Sequence, residues 1–142
     1  MRVTRRTLLG SAALAAGAVA MPCVALAATG ALHRALAGII TDPTTPAGRL
    51  AAAHARSSAL PLAERGHDLA TLFHGGGPGS GPTPAWLHDG RQLAGVTGWA
   101  GLVLAQGIAK ERGLPFAAGL PAELDDLAAQ LAGMPAFCWT VG

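Results

Sequence analysis

Apolar and polar positions alternate along this 142-residue chain in two distinct rhythms. Short apolar runs of four to six residues, which suit buried strands, are separated by stretches with helical spacing. Leu36-Ala37-Gly38-Ile39-Ile40 is the first such run, and Thr41-Asp42-Pro43 stops it. Ala47 to Ser57, with Leu50, Ala51, Ala53 and His54 at helical spacing, predicts a helix. Ala59 to Ala63 predicts a weak second strand, and His67 to Phe73 one or two helical turns that Asp68 can cap. From His74 the density of Gly and Pro permits no regular element, so a loop is expected over 74–91. Gln92 to Thr97 then predicts a strand and Gly98 to Arg112 a helix, with Gly113 as its stop. Leu114 to Ala118 reads as a strand. Pro121 opens a helix whose first turns carry Glu123, Asp125 and Asp126 and which runs to about Ala132. Ala136 to Val141 is the last strand.

Strands alternating with helices of about 10–15 residues imply βαβ units and a sheet covered on both faces. The strands lack strict apolar–polar alternation, as strands buried on both sides do. The expectation is a small three-layer α/β domain over 28–142. Its open, mainly parallel sheet would have four to five strands in a flavodoxin- or Rossmann-like arrangement. In such a sheet ligands bind where the strand order reverses, at the carboxyl ends of the strands.

The first 27 residues follow a different pattern. Arg2, Arg5 and Arg6 precede an apolar stretch from Leu8 to Ala20, shorter than the about 20 residues of a membrane span. Ala25-Leu26-Ala27 offers the small-x-small pattern of a signal-peptidase site. Arg5-Arg6-Thr7-Leu8-Leu9 resembles a twin-arginine (Tat) signal, apart from Gly10, where a basic residue is often found. That resemblance implies export to the periplasm or beyond, with membrane contact confined to the leader during export. Cleavage after Ala27 would make the mature chain begin near Ala28.

Removing the leader changes the charge. Three of the ten basic residues leave with it, so seven basic residues face eight acidic ones, a net charge of −1 with neutral histidines. No basic patch interleaved with aromatics remains, and a nucleic-acid partner is not expected. Cys23 would leave as well, making Cys138 a lone cysteine in an apolar strand and ruling out an intramolecular disulfide.

The switch-point rule collects candidate ligand residues: Asp42 and Thr44 after the first strand, and Thr97, Gly98 and Trp99 after the third. The amides of Gly98 to Ala100, at the positive end of a helix, suit a phosphate or carboxylate. Thr97 is alternatively a simple N-cap. The glycines of Gly95-Val96-Thr97-Gly98-Trp99-Ala100-Gly101 fall at i, i+3 and i+6, not in the dinucleotide-binding pattern. No cofactor is evident. His67, His74 and His88, with Asp68 and Asp89, offer nitrogen and oxygen ligands for zinc or copper, but at no tight ligand spacing. His74-Gly75-Gly76-Gly77 resembles the oxyanion segment of lipase-type hydrolases, yet the GxSxG elbow that must follow is absent.

The run Leu93 to Leu102, continued to Glu111-Arg112-Gly113-Leu114 and preceded by the Asp-Leu-x-x-Leu-Phe segment 68–73, resembles a group of short Tat-exported bacterial proteins of unknown function. The resemblance covers roughly Ala59 to Ala118. A histidine is usual in that group near the helix start, where this chain has Trp99. The group carries no assigned activity, so it bears on fold and compartment.

Two functions remain. One is a non-catalytic accessory or small subunit of a larger periplasmic enzyme of redox type, with Trp86, Trp99 and Trp139 as partner-facing or core area. The other is a small α/β domain binding or processing an anionic metabolite beside Thr97.

Overall fold

The computed structural model describes residues 35–75 and 83–142. The leader residues Arg5, Arg6, Ala25 and Ala27 lie outside the described residues, as does most of the Gly/Pro stretch.

Strand β1, Leu36–Thr41, is buried from its second residue onward. Its β-branched Ile39, Ile40 and Thr41 favour the extended chain. Thr45 then caps helix α1, Pro46–Ser57, by accepting from the Gly48 amide at 3.0 Å, and Pro46 occupies the first helical position. The helix ends with Leu60 N donating to Ala55 O and Ala59 N to Arg56 O, with Ala59 at φ 54°. This is the paired bonding of a Schellman stop, built on an alanine.

Strand β2 is only Leu62–Ala63. Helix α2, Leu69–His74, is capped by Asp68, as expected, whose carboxylate accepts from Thr71 N at 3.4 Å. A 3-10 turn, Ala85–His88, interrupts the expected loop. Strand β3 is Gln92–Thr97, and helix α3 is Trp99–Glu111 with Gly113 at φ 63° just beyond it. Strand β4, Phe116–Ala118, leads through a 3-10 turn, Ala122–Leu124, into helix α4, Asp125–Leu131. Strand β5 is Phe137–Val141.

The five strands form one mixed sheet in the order β2-β1-β3-β5-β4. β1 pairs in parallel with β2 and β3, but β5 is antiparallel to both β3 and β4. Half of the strand pairings therefore depart from the expected mainly parallel sheet. The reason lies in the return helices. α1 and α3, with 12 and 13 residues, cover roughly 18–20 Å, enough to bring the chain back along a six-residue strand. α4 has seven residues and covers only about 10 Å. The chain re-enters the sheet near where it left, and β5 runs backwards.

Helices cover both faces. On one, Ile39, Ala94, Val96 and Cys138 pack against α1 alanines 47, 51 and 55 and against Leu124, Leu127 and Leu131. On the other, Ile40, Leu93, Trp139 and Val141 meet Leu69, Leu72 and Phe73 of α2 and Ala105, Ile108 and Ala109 of α3. Trp139 is fully buried, and its indole lies over Gly95, where a Cβ would come within 2.0 Å of the ring. Cys138 is disulfide-bonded, which corrects the expectation of a lone thiol.

Candidate functional site

β1 has β2 on one side and β3 on the other, so the chain order reverses between β1 and β3. Asp42, Thr97 and Gly98 follow from the ends of these two strands, as the switch-point argument required. The structure brings them together at one end of the sheet. It also commits their polar atoms.

Asp42 is buried, and its carboxylate accepts from Thr44 N at 2.9 Å and from Thr44 Oγ1 at 2.5 Å. Its carbonyl accepts from Thr45 N and Thr45 Oγ1, and its own amide donates to Val96 O at 3.1 Å. Asp42 and Thr44 thus build the turn that launches α1 and tie β1 to β3. Thr97 is fully buried. Its hydroxyl accepts from Trp139 Nε1 at 3.0 Å and donates to Gly98 O at 3.1 Å. Thr97 is therefore not the N-cap of α3. Gly98 holds that position, and no side chain caps the helix there.

The mouth between the two strands is closed by main chain. Gly66 N donates to Thr41 O at 2.8 Å, and a Cβ on Gly66 would lie 2.8 Å from both Thr41 C and Thr97 Cγ2. Gly101 presses on the same spot, where a Cβ would come 2.4 Å from Thr97 Oγ1. The space over Gly98, by contrast, is open. Beside it Trp99 is 61% exposed and touches Phe137 edge-on, ring centroids 5.4 Å apart.

The candidate metal ligands stay apart. His67 is exposed. His74 Nε2 lies 3.9 Å from Glu111 Oε2, while His88 Nδ1 faces Arg112 at 3.2 Å. Asp68 caps α2 and Asp89 pairs with Arg91 at 2.6 Å. Among the described residues no three His, Cys, Asp or Glu side chains are grouped to hold a metal ion.

The feature that the sequence reading passed over is the outer face of α3. Gly101, Ala105, Ile108 and Ala109 are buried against the sheet. Trp99, Ala100, Val103, Leu104 and Gly107 are exposed on the other side. They recur at i, i+1, i+4, i+5 and i+8, the spacing of one helical face. Trp99, Val103 and Leu104 are the large hydrophobics exposed among the described residues. The signal was available in the sequence: the helix is apolar all round up to Gln106, which a surface helix covered on one side alone does not need.

No protein-family model, curated protein or solved structure matches this chain.

Proposed function

We propose that this chain is an exported accessory subunit, not itself catalytic, that docks on a larger periplasmic protein through the outer face of α3. The observation that carries the reading is the run of Trp99, Val103 and Leu104 on one exposed face, next to Phe137. An aromatic anchor among aliphatic neighbours is the composition of an interface centre. The twin-arginine-like leader adds to it, because that route carries folded proteins and suits a small chain travelling with a larger redox enzyme.

The competing reading places an anionic metabolite on the uncapped amides at the start of α3, beneath the open space at Gly98. It takes the β2-β1-β3 half as flavodoxin-like and the switch point as its binding place. Against it, the Asp42 carboxylate and the Thr97 hydroxyl are already engaged within the fold.

Gentle purification of the tagged protein from the periplasm separates the two. The expected result is a stoichiometric large partner that is lost from a Val103→Glu, Leu104→Glu double variant of unchanged melting temperature. A monomer whose melting temperature rises with inorganic phosphate would replace the subunit reading with the metabolite one.

A further inference from the structure

Gly107 sits inside α3 on its exposed side, with nothing within 4 Å of the place a Cβ would take. A glycine in a helix interior weakens it relative to alanine, and no contact among the described residues requires one here. What a bare stretch of helix backbone offers is close approach to a second helix.

The surrounding residues indicate which helix fits. At about 3.6 residues per turn, Val103 and Gly107 run along the middle of the exposed stripe. Ala100, Leu104 and Glu111 flank it on one side, Trp99, Gln106 and Lys110 on the other, all of them exposed.

This pattern is its own complement. Consider a copy of α3 laid antiparallel across it, about a twofold axis halfway between Val103 and Gly107. Val103 of each helix then meets the bare backbone at Gly107 of the other, and Leu104 meets Leu104. On one flank Lys110, which makes no ion pair among the described residues, comes level with the exposed Trp99 indole, a cation over an aromatic face. On the other flank Glu111 comes level with Ala100, beside a helix start whose amides no side chain caps. Within its own chain Glu111 has only the exposed His74, at 3.9 Å.

We infer that a second copy of this chain covers the outer face of α3, in this antiparallel twofold arrangement, whenever no larger partner occupies it. The inference shares its surface with the accessory-subunit reading and does not rest on it. Self-pairing keeps Val103 and Leu104 from water until the larger partner displaces the copy.

Sedimentation equilibrium of the chain produced without a partner tests it. The expected species is a reversible dimer, weakened at least about tenfold by Gly107→Leu and likewise by Lys110→Glu. Gly107→Leu enters open space and improves helix propensity, so at dilutions where the protein is monomeric its melting temperature is expected to hold or rise. A benzoylphenylalanine crosslinker in place of Val103 is expected to join the second copy at or beside Gly107. A chain that stays monomeric at every concentration, or a dimer indifferent to both substitutions, overturns the inference and leaves the subunit reading standing. A dimer that meets these expectations while no larger partner is captured from the periplasm upholds the inference and overturns that reading alone.

Discussion

At residue scale the most tightly determined point is the Trp139 indole, buried without a gap over Gly95 and bonded to Thr97 across 42 residues of sequence. Thr97→Val keeps the shape but strands the indole N–H in the core. It is expected to cost about 1–3 kcal/mol in urea denaturation, with Thr97→Ser restoring most of it. Ala59 gives a prediction of opposite sign. It holds the left-handed stop position of α1 that Gly113 holds after α3. A left-handed alanine costs about 1–2 kcal/mol, part of which glycine returns through its looser unfolded state. Ala59→Gly is expected to stabilise by roughly 0.5–1 kcal/mol, read as a higher melting temperature. These two sites also show what was legible. Gly113 announces a helix stop by its residue type, whereas nothing in an alanine does. Thr97 before a helical stretch reads as a cap or an anion ligand, because the indole that takes its hydroxyl comes from a distant strand.

Element boundaries were legible where one local signal dominated: β1, β3 and β5, the Asp68 cap, and the body of α3. The segment after Pro121 was not. Its acidic first turns and apolar spacing suggest one long helix, but a 3-10 turn takes the first three positions and leaves α4 at seven residues. Periodicity does not distinguish those two outcomes over so short a stretch. The direction of β5 followed from that length, and with it the mixed character of the sheet. α3 is where element-scale physics meets the proposed docking face. Its inner face is set by packing; on its outer face Trp99 meets Phe137, while Val103 and Leu104 stay exposed. Val103→Glu and Leu104→Glu are accordingly expected to change stability by less than about 0.5 kcal/mol each, in thermal melts, while partner binding falls at least about tenfold.

For the whole molecule, the sequence indicated a sheet covered by helices on both faces, and the two cores are built that way. It misled at Cys138, which reads as a lone thiol and is disulfide-bonded. One further property belongs to the sheet as a unit. Its two outermost strands are β2, with two residues, and β4, with three. Such brief margins offer a passing strand almost no ladder of free amides and carbonyls to extend. Concentrated copies of the described fold have little means of zipping into fibrils edge to edge. Assembly is steered toward side-chain recognition on the helices, and away from backbone templating.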